Sequence, residues 1–311
     1  MSNSRSYAII GTGGVGGYFG GRLALCGHDV RFLLHSDYDY VRQHGLTVKS
    51  SNGDFALPVV KAFNSVSAIG PVDVVVVCLK TTSEDMLREM LPPLLKPSSI
   101  VILIQNGIGV EAEVERLVPG VRLVAGLAFI GTAKVAPGHI DHQFYGNINL
   151  APYNLTPQNL ETLDAVADDF RTSGVPIKIM EYHVARWKKA VWNMPFNGLS
   201  VAMRCQTDTL LEEPALSLIR DLMKEVVGAA QACGVTDLRD NFIDVMIEST
   251  RQMPPYSPSM KLDFDFGRPM EIEFLYRRPI AMAQAAGFDM PKMRMLEQIL
   301  SVTSMQMGKN A

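Results

Sequence analysis

The sequence predicts an α/β protein, with an N-terminal Rossmann-type doubly wound sheet followed by an all-helical C-terminal domain. Three observations carry this. The glycine-rich hexapeptide Gly11-Thr12-Gly13-Gly14-Val15-Gly16 lies between an apolar run and a helix-like segment. Up to about residue 180, short β-branched runs alternate with helical segments, the pattern of a parallel sheet wrapped by helices. Beyond Glu181 helical apolar spacing dominates. A chain of 311 residues exceeds the usual single domain, so the division is read as residues 1–181 and 182–311.

Each element follows from its local pattern. Tyr7–Ile10 and Val30–Leu34 are strands on either side of the first helix. "DVVVVCLK" (Asp73–Lys80) and "SIVILIQNG" (Ser99–Gly107) are apolar runs too short to span a membrane and read as buried parallel strands. "SEDMLREMLPPLL" between them is expected to be a helix. "RLVAGLAFIGTAKVAPGHI" and "GNINLAPY" extend the sheet with antiparallel members, "PQNLETLDAVADDFRTSG" is a helix closed by Gly174, and "VPIKIM" is a last strand. Helices are then expected near 183–203, 213–233, 238–253, 269–286 and 291–304, leaving Arg251–Pro269 as a loop suited to lining a site.

Composition excludes several classes. A net charge of -3 gives no basic face for nucleic acid. The opening "MSNSRSYAII" is too polar, and then too briefly apolar, for an export signal, so no membrane role is expected. Cys26, Cys78, Cys205 and Cys233 lie far apart with no C-x-x-C. That spacing argues for no metal site and a reduced, cytoplasmic setting. No G-x-S-x-G elbow supports a serine hydrolase. The helical half fixes no oligomer, and a homodimer is compatible with it.

The hexapeptide matches G-x-G-x-x-G in the context that gives it meaning, after a strand and before a helix. Gly11 permits the tight turn, Gly13 lets backbone approach a pyrophosphate, and Gly16 lets helix and strand pack closely. Thr12, Gly14 and Val15 complete the nucleotide turn, whose helix N-terminus favours negative charge. A plain glycine turn without a ligand is the alternative. Where an NAD-binding unit carries an acid at the end of its second strand, this chain has His35 and Ser36. Both can donate to a 2′-phosphate, with Arg31 and Arg42 expected nearby, so NADP(H) is the expected cofactor. Asp37, two residues further on, would restore an acid if the strand ended later. Lys80 and Asn106 sit at the ends of the two buried strands, where the carboxyl edge meets ligand. Lys80 suits a phosphate or carboxylate, and Asn106 the nicotinamide ribose or the substrate.

In "ARWKKAVWNMPFNGLSVAM" (Ala185–Met203), Lys189, Asn193 and Asn197 fall at i, i+4 and i+8, which aligns them on one helix face. Two amides in line with a lysine, among Ala190, Val191, Trp192, Phe196 and Leu199, point to a site rather than a solvated charge. Pro195 interrupts this helix and is expected to kink it near Val191.

Together, "GTGGVGG", "CLK", "QNG", "WKKAVWNMPFN" and "SMKLDFDFGRPMEIEFL" resemble the ketopantoate reductase (2-dehydropantoate 2-reductase) family over essentially the whole chain. The resemblance implies a lysine general acid at Lys189 and substrate-holding asparagines at Asn193 and Asn197. It also implies a serine and a glutamate for substrate, and Ser259 and Glu271 keep the family's spacing of eleven intervening residues. The expected activity is NADPH-dependent reduction of a small 2-oxo acid, ketopantoate, to its 2-hydroxy acid. The chain departs from the family in two places: His35 stands where the family often has Arg, and Pro195 precedes Asn197 rather than following it. Two other readings remain open. One is an NAD(P)-dependent 2-oxo or hydroxy acid dehydrogenase of different substrate. The other is an NADP(H)-sensing binding protein without turnover, which would not need Lys189, Asn193 and Glu271 together.

Overall fold

The computed structural model describes residues 4–309, with the side chain of Lys309 not considered. The first unit holds one ten-stranded sheet. Its strands are β1 (Ser6–Ile10), β2 (Asp29–Leu33), β3 (Leu46–Ser50), β4 (Phe55–Leu57), β5 (Lys61–Phe63), β6 (Val72–Val77), β7 (Leu95–Leu103), β8 (Leu123–Ala136), β9 (His139–Pro152) and β10 (Ile177–Ile179). They run in the order β4-β3-β9-β8-β7-β6-β1-β2-β5, with β10 beside β9. The pairs from β8 through β5 are parallel, while β8 with β9 and β3 with β4 are antiparallel. The chain passes from β1 to β2 on one side and returns to β6 on the other. That reversal makes the carboxyl ends of β1 and β6 the switch point where ligands bind in such sheets. The valines of β6 from Val74 to Val77 are fully buried, as a strand covered on both faces requires.

Helices α1 (Gly14–Leu25), α2 (Tyr38–His44), α3 (Val66–Ile69), α4 (Leu87–Met90), α5 (Val110–Leu117) and α6 (Pro157–Thr172) complete this unit. The single helix expected over "SEDMLREMLPPLL" is instead broken. A 3-10 segment, Thr81–Met86, precedes α4, and a second, Pro92–Leu94, follows it. Ser83 has non-helical angles (φ -122°), and Pro92-Pro93 cannot continue a helix. Strands β3, β4 and β5 were not foreseen. The last two span three residues each, too few to show a period.

The second compact unit contains Asn106–Gly109 together with the chain from His183 onward, and Val110–Tyr182 belongs to the first unit. Its helices are α7 (Tyr182–Ala202), α8 (Thr207–Leu210), α9 (Ala215–Ala232), α10 (Asn241–Arg251), α11 (Ser259–Asp265), α12 (Arg278–Ala285) and α13 (Pro291–Lys309). A π-helical turn, Glu273–Arg277, leads into α12. Helix α11 lies inside the segment expected to be loop, so Arg251–Pro269 is corrected to two loops around a short helix. Helix α7 runs unbroken through Pro195. Trp187, Val191, Met194 and Phe196 of α7 are fully buried, in one hydrophobic cluster with α9 residues such as Met223 and Val226. No described helix is long and apolar enough to cross a membrane. All four cysteines are free thiols.

Candidate active site

In the first unit the site begins where β1 ends. Gly11 has φ +95°, in the left-handed region that glycine enters without a Cβ penalty. A Cβ on Gly11 would fall 2.9 Å from the backbone nitrogen of Leu79, one on Gly16 2.3 Å from the Gly11 oxygen, and one on Gly14 3.0 Å from Ala133 Cα. Those three glycines answer to packing within the chain. Gly13 does not: a Cβ there would meet nothing within 4 Å. The open backbone at Gly13, beside the N-terminus of the 12-residue α1 that has no side-chain cap, fits a phosphate group that must come close.

Other predicted nucleotide residues collect around this turn. The Thr12 hydroxyl donates to the Leu33 carbonyl at 2.8 Å, tying the turn to the end of β2, and His35 and Ser36 are exposed just beyond. Leu79, against Gly11, places the half-buried Lys80 one residue on. Val15 is half-buried at the start of α1. Burial pushes the neighbouring Cys78 thiol up to about 12, so it supplies no thiolate here. The Arg31 guanidinium, within β2, donates to Asp29 and to the Ile69 carbonyl, both at 2.7 Å. Arg42 is exposed above the Tyr38 ring. Asp37 is buried and paired with Lys134 at 3.0 Å.

The predicted substrate and catalytic residues all fall in the helical unit, because Asn106 belongs to it. Asn193 donates to the Asn106 side-chain oxygen at 3.2 Å. One turn along α7, the Asn197 amide donates to the Asn193 carbonyl at 2.9 Å, and its oxygen accepts from the Met260 N–H at 3.0 Å and the Ser259 hydroxyl at 3.4 Å. Asn197 therefore stitches the start of α11 to α7. Its own polar groups are spent on the protein.

Lys189 lies one turn before Asn193 and lines a cavity of about 10 Å³, room for one water. Gly107, Ile108, Arg186, Asn193 and Phe274 share this lining. Burial, and then the positive charge of Arg186, pulls the Lys189 ammonium down to about 7, while Glu271 pulls it upward. Glu271 is only 4% exposed and Arg186 2%, so neither is the surface charge that its residue type alone would suggest. Arg186 was missed at the sequence level. Its signal was present, since it sits three residues before Lys189 on the same face. The Tyr276 hydroxyl donates to the Met194 carbonyl at 2.7 Å, which fixes α7 beside Pro195. A larger groove of about 460 Å³ between α11 and α13 holds none of these residues.

Comparison with known proteins gives the family. Residues 7–154 match the family described as ketopantoate reductase PanE/ApbA, and residues 181–304 match its C-terminal domain. The chain belongs to the ketopantoate reductase family. It is an oxidoreductase of two domains, with a helical C-terminal part that the family shares. A 2-dehydropantoate 2-reductase from Nostoc sp. is 43% identical over 299 residues, covering 94% of this chain and 93% of that protein. The solved 2-dehydropantoate 2-reductase from Geobacter metallireducens is 36% identical with a TM-score of 0.91, covering 95% and 99% of the two chains. D-mandelate dehydrogenase, solved with NADH and anilino(oxo)acetate, shares the fold with a TM-score of 0.85 at 20% identity, covering 97% and 99%.

Proposed function

We propose that this ketopantoate reductase family member reduces 2-dehydropantoate to pantoate with NADPH in the cytoplasm, and that Lys189 is its proton donor. One observation carries the reading: an ammonium drawn down to about 7 lines a cavity with an asparagine and a buried arginine. A donor whose pKa lies near the working pH transfers its proton readily, where an ordinary lysine near 10.5 would hold it.

The glycine turn, His35, Ser36 and Lys80 are the groups that would hold the dinucleotide, with Gly13 leaving room for its pyrophosphate. Bound there, NADPH supplies the hydride. Lys189 neutralises the charge growing on the ketone oxygen and donates its proton to it as the new C–H bond forms, leaving a 2-hydroxy acid and a neutral amine. Asn193, held by Asn106, orients the carbonyl. Ser259 bonds the substrate carboxylate, and Asn197 contributes by fixing Ser259 in place. Glu271 accepts a hydrogen bond from the substrate's distal hydroxyl. A carboxylate close to an anionic substrate repels it unless the substrate brings a hydroxyl to bind, which favours a hydroxylated 2-oxo acid over a simple one.

The test follows absorbance loss of NADPH and NADH with ketopantoate and with 2-oxo acids lacking the hydroxyl. Turnover of ketopantoate at least about a hundredfold more efficient than of the simpler acids is expected, because a site built around a hydroxyl leaves polar groups unpaired without one. Equal efficiency would remove Glu271 from the proposal. Tight nucleotide binding with no turnover of any 2-oxo acid would instead support a sensor.

A further inference from the structure

The strand β2 ends at Leu33, so no acid stands at its end, and the acid that follows, Asp37, is already engaged. Asp37 lies four residues beyond the end of β2 and is buried. The Lys134 ammonium meets its carboxylate at 3.0 Å, with only 5% of the Asp37 side chain exposed against 32% of Lys134. Lys134 comes from β8, far away in sequence, and the strand's course explains how it arrives. Ala133 packs against Gly14 so closely that a Cβ there would lie 3.0 Å from its backbone. The next residue, Lys134, therefore starts beside the glycine turn and ends on Asp37. On the other side, Thr12 ties the same turn to Leu33 at 2.8 Å. The ion pair thus joins the strand packed on the turn to the connection that follows β2, the region in which such folds hold the ribose.

We propose that Lys134 is the residue that sets the preference for NADP(H) over NAD(H). This inference rests on the reading that the glycine turn holds a dinucleotide. An unpaired carboxylate at this place would accept from a ribose 2′-hydroxyl and repel a 2′-phosphate. Paired with Lys134, Asp37 offers little to the hydroxyl and its repulsion is cancelled. The ammonium, more exposed than its partner, is available to the phosphate as a compact charge. His35 and Ser36, exposed on the connection to Asp37, add donors but no fixed positive charge. The discrimination therefore passes from the end of β2, where the family often has an arginine, to a lysine on β8.

The experiment measures dissociation constants of NADPH and NADH by fluorescence titration of the intact protein, with no substrate present. The wild type, Lys134→Met, Asp37→Asn and the double variant are compared. In Lys134→Met the ratio favouring NADPH should fall about 10- to 100-fold, the range of one charge-assisted hydrogen bond, with NADH binding unchanged or tighter. Asp37→Asn should keep the preference for NADPH, and the double variant should lie between the two single ones. A ratio within threefold of wild type in Lys134→Met overturns the inference while leaving nucleotide binding intact. A wild type that prefers NADH overturns it as well. A wild type that binds neither nucleotide overturns the dinucleotide reading and this inference with it. Should Lys134→Met not fold, Asp37→Asn decides alone: a switch to NADH in that variant sinks the proposal.

Discussion

The glycine turn and the polar face of α7 are the two parts of the proposed site, and they are built by opposite means. At the turn the working groups are backbone, and specificity comes from what is missing: a Cβ at Gly13 would meet nothing within 4 Å. On α7 the working groups are long side chains, and specificity comes from what surrounds them, since burial and Arg186 draw Lys189 down to about 7. A backbone site tolerates side-chain changes around it but not on it. A side-chain site depends on neighbours brought in from other helices.

The largest expected effect falls on the side-chain site. Lys189→Ala should slow single-turnover reduction by about 10²- to 10⁴-fold, the range for a lost general acid, while NADPH binds as in wild type. A wild-type rate with intact cofactor binding would end the proton-donor assignment. The backbone site should behave in the reverse way. Gly13→Ala should leave the thermal midpoint within about 2 °C, since its methyl enters open space, yet weaken NADPH binding at least about tenfold by occupying the anion's place. Gly16→Ala serves as the contrast. Its Cβ would fall 2.3 Å from the Gly11 oxygen, so it should destabilise the fold by roughly 1–3 kcal/mol. Should Gly13→Ala lose stability as Gly16→Ala does, the turn is packing and not a cradle.

The same asymmetry governs what the sequence reveals. The turn is legible because its parts are contiguous and a strand and helix frame them, and the alternation up to "VPIKIM" gives the sheet. The i, i+4, i+8 line of Lys189, Asn193 and Asn197 is legible for the same local reason. Arg186 shares the Lys189 face by spacing, but its burial cannot be told without its neighbours. Lys134 was invisible because β8 carries it to Asp37 from 97 positions along the chain. Arg31 lies in the strand as expected, but its side chain is engaged. Its position looked basic and close, but Asp29 and Ile69 hold it. Ser259 and Glu271 were found only through resemblance, for nothing local in "SPSM" or "MEIEF" marks them as converging on α7.

Charge coupling within the helical unit gives an effect of intermediate size. In the proposed reaction Lys189 must be protonated, so kcat/KM should fall as pH rises through about 7. Its contribution to stability runs the other way. The folded value of about 7 lies below the ordinary 10.5, so between those limits the unfolded chain binds more protons and this group's contribution to stability rises with pH. Activity lost between pH 7 and 9 without a falling thermal midpoint is therefore the expected signature. Arg186→Met removes a positive charge and should move the alkaline limb upward, while Arg186→Lys should restore it. An unmoved limb in Arg186→Met would show that burial alone sets the Lys189 ammonium.

The smallest effect belongs to Ser259, and it tests how the two asparagines divide their work. Its hydroxyl reaches the Asn197 oxygen at 3.4 Å, longer than the 3.0 Å bond from the Met260 N–H to the same atom. Losing the serine therefore costs the protein little, and what remains is its bond to substrate. A neutral hydrogen bond of about 1 kcal/mol corresponds to about a fivefold change in affinity. Ser259→Ala should accordingly raise KM for the 2-oxo acid by about that factor, leaving kcat and the thermal midpoint near wild type. Asn197→Ala removes the acceptor for a buried N–H and should lower the thermal midpoint as well as raise KM. If Ser259→Ala lowers the thermal midpoint as much as Asn197→Ala does, the serine belongs to the stitch between α7 and α11, and the substrate carboxylate must be held by another group.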